Sequence, residues 1–251
     1  MTYRKIGILG GMGPAAGVYF AQQLIELNVA ADRDARHAPF ILHSDPSHPS
    51  RVDAYLNGQA SPASSIAQSL DALHAQGADF GVIICNTAHI YFREIAARTA
   101  LPLINMVETA ASHMMKDAPP GDTGLLATNA TVKSGLYARA VEARGGRVVT
   151  PTDADQEIIS AVIFSPDHGI KATRTSPSDK AIRAVWGVMN RMREQAGVGR
   201  FLLGCTELSM AIPDDVCSGF EIVDPVKILA RTCLHRAGCV TNPKDPSPCV
   251  A

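Results

Sequence analysis

A chain of 251 residues that is 46% hydrophobic and 19% charged can bury a core of two compact α/β lobes or one large domain, and it is not disordered. A formal net charge of −1 without a long basic run excludes nucleic acid as the main partner. No apolar stretch approaches the roughly 18 residues of a membrane span, so no membrane partner is expected. Met1-Thr-Tyr-Arg-Lys5 runs into a short strand and has no secretory h-region, which gives the expectation of a cytoplasmic protein with reduced thiols. Six cysteines in such a setting do not imply a disulfide framework, and their wide spacing lacks the close pairs of a structural zinc site.

Strands alternate with helices along the chain, the pattern of a parallel sheet. Strands are predicted over Lys5–Leu9, Pro39–His43, Phe80–Ile84, Pro102–Asn105, Thr123–Ala127, Arg147–Thr150, Phe201–Leu203 and Glu221–Val223. Helices are predicted over 14–29, 63–76, 89–99, 107–116, 131–144, 153–164, 177–196 and 225–237. The end, from Thr241 to Cys249, is too rich in proline for either and reads as a mobile tail.

The halves repeat weakly. Gly7-Ile-Leu-Gly leads to Gly17-Val-Tyr19, and Gly124-Leu-Leu-Ala leads to Gly135-Leu-Tyr137. The offset is 117 at the first glycine, 118 at the tyrosine and 120 between Cys85 and Cys205. Each cysteine ends an apolar strand, in Phe80-Gly-Val-Ile-Ile-Cys85 and Phe201-Leu-Leu-Gly-Cys205, and small polar residues follow. In open α/β sheets the carboxyl ends of strands are where ligands bind. The expected fold is α/β, with two similar lobes of short, mostly parallel sheet flanked by helices. The expected division is 1–106 with 210–238 around Cys85, 107–209 around Cys205, and a flexible tail over 239–251.

The first turn, Gly10-Gly-Met12-Gly-Pro14, fits a dinucleotide fingerprint only loosely, since the acidic residue at the end of the second predicted strand, Asp45, comes later than the usual gap of roughly 20 residues. Its simpler reading is a set of backbone amides aimed at a carboxylate, with glycines that let a ligand approach. Thr128 and Thr131 hold the equivalent turn of the second half. Cys85-Asn86-Thr87-Ala88-His89 places a thiol just before a helix, where a thiolate is stabilised; Cys205-Thr206-Glu207 repeats the arrangement. Glu207 alone reads as a solvated first-turn acid, and His89 as a surface residue or a partner for backbone. A Cys85–His89 hydrolase would leave Cys205 without a role. Arg51 follows an extended, proline-held loop and has the chemistry for a bidentate carboxylate pair. Lys171 sits in an apparent loop after a helix. Cys217, Cys233, Cys239 and Cys249 lack strand-end placement and read as packing or tail residues.

Together, Gly10-Gly-Met-Gly-Pro14, Cys85-Asn-Thr-Ala-His89, Leu126-Ala-Thr128 with Thr131, Gly135-Leu-Tyr137 and Gly204-Cys-Thr-Glu-Leu208 resemble the aspartate/glutamate racemase family, in its aspartate racemase branch. The resemblance runs from Gly7 to about His235. It implies a cofactor-independent enzyme of two α/β lobes with the active site in the cleft between them, commonly a homodimer. By position it makes Cys85 and Cys205 the catalytic acid/base pair. Substrate contacts then fall on Met12, Arg51, Asn86, Thr87, Thr128, Thr131, Lys171 and Thr206, with no cofactor and no metal. Relatives often read Pro-Asp-Arg-Thr where this chain has Pro49-Ser50-Arg51-Val52.

The activity so implied is interconversion of L- and D-aspartate or glutamate by two-base proton transfer. The alternatives are a broad-specificity amino acid racemase, a maleate isomerase or arylmalonate decarboxylase type of enzyme with a nucleophilic cysteine, and a non-catalytic dicarboxylate-binding protein.

Overall fold

The computed structural model describes residues 3–116, 121–173, 176–212 and 219–239. Cys217, Cys249 and the predicted tail from Thr241 onward lie outside these residues. The described chain forms two units: residues 3–109 with 226–239, and Ala110–Pro225.

The first unit runs β1 (Ile6–Gly10), α1 (Pro14–Glu26), β2 (Phe40–Ser44), α2 (Arg51–Leu56), α3 (Ala63–Ala75), β3 (Phe80–Ile83), a 3-10 segment over Thr87–Tyr91, and α4 (Phe92–Ala96). Its parallel sheet has the order β2-β1-β3. All residues of β1 and β3 are buried, whereas β2 at the edge is largely half-exposed. Burial of β1 is the expected signature of a central strand covered on both faces, and β3, at the other edge, is bordered by the segment whose Leu103 bridges Gly81. One face packs Ile6, Ile8, Phe20, Phe80 and Val82 against Val226, Leu229 and Leu234. The other packs Leu9, Ile83 and Cys85 against Ile66, Leu70 and Leu73.

Helix α5 (Met106–Lys116) carries the chain onward. The second unit then runs β4 (Asp122–Ala127), α6 (Asn129–Lys133), α7 (Leu136–Glu142), β5 (Arg147–Val149), α8 (Asp153–Phe164), α9 (Ile170–Thr173), α10 (Asp179–Ala196), β6 (Arg200–Gly204), α11 (Thr206–Ala211) and β7 (Glu221–Val223), and α12 (Pro225–Ala237) follows. Its parallel sheet has the order β5-β4-β6-β7. The first three strands of that order match β2-β1-β3, so the repeat in the sequence is a repeat of topology. The register agrees: Gly7 pairs Gly81, and Gly124 pairs Phe201. Leu126, Ile163, Val185, Phe201 and Leu203 form the main core of this unit.

Several predicted boundaries move, each for a local reason. Pro102–Asn105 is not a strand: a single bridge joins Gly81 to Leu103, and Asn105 Oδ1 turns to accept from the amides of Val107 (2.9 Å) and Glu108 (3.1 Å), capping α5. The predicted helix 131–144 breaks into α6 and α7 at Gly135, whose φ of 62° is left-handed. Thr128 Oγ1 accepts from the Thr131 amide (3.2 Å), which starts α6 earlier than the hydrophobic pattern suggests. The loop expected to stay extended past Pro49 enters α2 at Arg51, capped by Ser50. Lys171, expected in a loop, lies in α9. β7, assigned by sequence to the first lobe, pairs with β6 and so belongs to the second unit. Cys239, assigned to the tail, is buried in the first unit's core beside Cys233, its amide bonded to Leu234 O.

Among the described residues, no helix is long and apolar enough to cross a membrane.

Candidate active site

In the first unit the residues singled out by sequence gather at the carboxyl end of the sheet. The Ile84 amide still bonds Leu9 O of β1, and the Cys85 amide then bonds Ile83 O, a tight turn that stops the strand at the thiol. Cys85, Asn86 and Thr87 are all buried. Met12, just past β1, is buried in the same apolar cluster as Cys85. The glycine turn has a different use from the one its sequence suggests. Gly11 has φ 93°, and a Cβ there would come within 2.1 Å of Asp45 O; Gly10 lies against the Cα of Gly17. These glycines admit protein backbone. The Asp45 loop thereby packs onto the turn, and Arg51 follows it.

Arg51 opens α2, which packs against the 3-10 segment after Cys85. Its Nη1 donates to the carbonyls of Pro49 (2.9 Å) and His48 (3.2 Å). Those bonds fix the guanidinium on its own loop, while its Nε is buried with no hydrogen-bond partner among the described residues.

His89 is no base for Cys85. Its Nδ1 lies 2.9 Å from Cys85 O, and its Nε2 accepts the Met106 amide at 3.1 Å. A carbonyl only accepts and an amide only donates, so the ring is neutral with its proton on Nδ1. Burial pushes its pKa down from 6.5 to about 4. The ring stacks on Phe92 with centroids 5.4 Å apart. The Cys–His hydrolase alternative therefore loses its base, and His89 ties the turn carrying Cys85 to the start of α5.

In the second unit, β4 and β6 are adjacent, with Ala127 opposite Gly204, so Thr128 and Cys205 leave neighbouring strand ends. Thr128 Oγ1 donates to Thr131 Oγ1 at 3.0 Å, and both threonines are buried. Cys205 is the N-cap residue of α11. Its Sγ donates to Glu207 Oε2 at 3.1 Å, and Thr206 Oγ1 donates to the same oxygen at 3.1 Å. Lys171 Nζ pairs with the other oxygen, Oε1. Glu207 is 3% exposed, so it is not the solvated acid the sequence suggests. Burial alone would raise its pKa, but the Lys171 ammonium, the hydrogen bonds from Lys171 and Cys205 and its own amide together hold it below the usual carboxylate value. Cys205 moves the opposite way from the expectation for a thiol at a helix start: burial, then the charge of Glu207, push it well above the free value, with Lys171 opposing.

Further along α11, Ser209 Oγ donates to Asp224 Oδ1 at 2.8 Å. Tyr137 is fully buried nearby, its phenol pushed well up by burial and then by Asp224 and Cys205. Sequence reasoning missed Glu207 as a site residue and did not single out Asp224. The signal for Glu207 was present: the position two after Cys85 is a threonine, and the position two after Cys205 is a carboxylate.

Cys85, Cys205, Cys233 and Cys239 are all free thiols. Among the described residues, no cluster of three or more His, Cys, Asp or Glu is placed to hold a metal ion.

The chain is similar over its length to known proteins. The family description Asp/Glu/Hydantoin racemase matches residues 9–233. An aspartate racemase of Picrophilus torridus superposes with a TM-score of 0.83 at 31% identity, covering 95% of this chain and 96% of that one. A broad specificity amino-acid racemase of Bacillus subtilis is 25% identical over 233 residues, 90% of this chain and 95% of the relative. A glutamate racemase of Desulforudis audaxviator is 31% identical over 179 residues, 68% of this chain and 62% of the relative. With two matching parallel sheets, a thiol at the end of a corresponding strand in each, and a family match spanning both, this chain belongs to the Asp/Glu/Hydantoin racemase family and is an isomerase of the racemase class.

Proposed function

We propose that the protein interconverts the enantiomers of a dicarboxylic amino acid, aspartate or glutamate, by two-base proton transfer between Cys85 and Cys205. The observation that carries this reading is the equivalence of the two thiols: each follows the third strand of a matching order, β3 in β2-β1-β3 and β6 in β5-β4-β6, within a racemase family fold. One sulfur, as thiolate, takes the α-proton. The other, as thiol, delivers a proton to the opposite face of the same carbon, and the roles exchange with the enantiomer bound.

The α-proton is a weak acid, so the growing enolate-like charge needs donors around the substrate carboxylate. The turns that begin at Met12, Asn86 and Thr87 in one unit and at Thr128, Thr131 and Thr206 in the other are our candidates for that binding. Arg51 supplies positive charge for a second carboxylate, which favours a dicarboxylic substrate over a neutral one. Lys171 has a charge of the same sign, shared with Glu207. The chemistry needs neither pyridoxal phosphate nor a metal, because thiol, thiolate and hydrogen-bond donors account for every proton moved. We place the enzyme in the cytoplasm, where both thiols stay reduced, and as a homodimer, as its family resemblance implies.

Incubation with each enantiomer of aspartate and glutamate in deuterated water tests the reading. Loss of optical activity with one deuterium entering at the α-carbon is expected. Tight binding without exchange would make the protein a dicarboxylate binder, and a covalent adduct on Cys85 would make it a nucleophilic enzyme. Racemisation of neutral amino acids as fast as of aspartate would replace the dicarboxylate preference with a broad one. Light scattering at the mass of a monomer would remove the dimer.

A further inference from the structure

The two thiols hold equivalent places in their sheets, but their surroundings are not equivalent. Glu207 takes two donors on Oε2, the Cys205 thiol and the Thr206 hydroxyl, and the Lys171 ammonium on Oε1. The Lys171 ammonium and the Thr206 hydroxyl can only favour the ionised carboxylate, and a carboxyl group is by nature a far stronger acid than a thiol. The proton between Cys205 and Glu207 therefore sits on sulfur. On the Cys85 side the corresponding positions are Asn86 and Thr87, which carry no charge, and His89 has both ring nitrogens committed to backbone. The helices packed on the segment after Cys85 bring charges of both signs, Arg51 and Asp53 on α2 and Arg93 and Glu94 on α4, while Tyr137 and Asp224 are the further titratable groups near Cys205.

From this asymmetry we infer that Cys205 is the resting acid and Cys85 the resting base, with Glu207 a positioning residue that keeps the proton on Cys205 and Lys171 the countercharge paired with Glu207. The inference rests on the two-thiol reading of function. It gives Lys171 a role through Glu207 in place of, or before, a direct contact with substrate.

The proton balance follows. From the resting state, the Cα–H bond breaks towards the Cys85 thiolate and leaves its electron pair on the enolate. The Cys205 S–H bond then breaks, and its proton forms the new Cα–H bond on the other face. The enzyme is left with a Cys85 thiol and a Cys205 thiolate beside the Glu207 carboxylate. Two adjacent negative charges in a buried place are unfavourable, and Lys171 limits that cost. The resting state returns when Cys85 gives a proton to water and Cys205 takes one from water. One enantiomer thus meets the abundant form of the free enzyme, and the other meets the scarce form.

The experiment is a peptide-resolved alkylation of the full-length protein, without substrate, by iodoacetamide from roughly pH 6 to 10. The midpoint of each cysteine's pH–rate curve reports its ionisation, while the plateau reports access. In the unaltered protein Cys85 is expected to react at lower pH than Cys205. In Glu207→Gln the Cys205 midpoint is expected to fall by about one pH unit or more, with Cys85 unmoved. A change confined to the plateau would mean that Glu207 only shapes the site, and it would overturn the inference. So would a Cys205 midpoint at or below that of Cys85 in the unaltered protein.

If Glu207→Gln does not fold, Lys171→Gln on the partly exposed lysine is the second variant. It is expected to move the Cys205 midpoint upward, and no movement would overturn the inference. Because alkylation needs no turnover, its outcome is separate from the deuterium assay. A chain that racemises with coincident midpoints would lose this division of roles alone. A chain with separated midpoints that exchanges no α-proton would lose the proposed function alone.

Discussion

Cys85 and Cys205 stand at corresponding strand ends, each buried, yet the two units surround them with opposite kinds of support. At Cys85 the groups that hold the turn are neutral: a histidine fixed between two backbone groups and an apolar cluster that includes Met12. Around Cys205 the support is ionic: a carboxylate and an ammonium in direct sequence with the sulfur. A repeated fold can therefore place two like groups at corresponding strand ends while the side chains in contact with each differ in charge.

The comparison can be broken most severely at the sulfurs themselves. Cys85→Ala and Cys205→Ala should each lower racemisation by about a thousandfold or more, the size of a lost general acid or base. Retention of enantiomer interconversion by either variant, measured by chiral analysis, would end the pairing of the two units, whereas exchange of α-deuterium without inversion is what a single remaining thiol would give.

His89 comes next, and its effect belongs to stability. His89→Phe keeps the ring stacked on Phe92 but leaves the Met106 amide and Cys85 carbonyl without their partner, at a cost of about 2–4 kcal/mol in urea unfolding. The unaltered protein should also show the histidine in its pH dependence. Burial holds the folded pKa at about 4 against 6.5, so the unfolded chain binds the extra proton between those values. The contribution is fully present above pH 6.5 and is lost as pH falls towards 4, amounting to roughly 3 kcal/mol. A denaturation series without that slope, or with the same slope in His89→Phe, would contradict the neutral tautomer.

At the other thiol, Glu207→Gln should leave folding less affected and shift the pH–rate profile of racemisation to lower pH, with a fall of about tenfold at neutral pH. A change in stability with an unshifted profile would make the two surroundings alike after all. Arg51→Ala sharpens the contrast from the substrate side. The preference for aspartate over alanine should fall by about tenfold, the worth of one charge-assisted contact, and an unchanged ratio of kcat/KM values would remove Arg51 from substrate choice.

The smallest effect is expected at Cys233, a thiol buried in the first unit's core and pushed well up in pKa by that burial. Cys233→Ala should cost about 1 kcal/mol through lost packing and leave racemisation as it was. Lost activity would mean that the structural and chemical cysteines are not separable by position.

The alternation of elements, the two parallel sheets and the placement of both thiols were legible in the sequence because they depend on patterns along the chain. Apolar runs mark buried strands, and a near-constant offset marks a repeat. Elements governed by a single side chain or turn were less legible. Asn105 ends what reads as a strand by capping a helix, and Gly135 divides what reads as one helix. The short helices α2, α9 and α11 have too few residues to show a period.

By itself the sequence determined the fold class, the family and the strand-end placement of the two sulfurs, since each is written in local patterning and motif order. Tertiary structure decided the electrostatics. Lys171 and Glu207 are 36 residues apart, and nothing in their local composition pairs them. His89 and Met106 are joined only where the chain after β3 folds back. Whether a charge is solvated or buried, and against which partner, depends on contacts between distant segments. The same residue types near two cysteines therefore gave one sulfur a neutral neighbourhood and the other an ionic one.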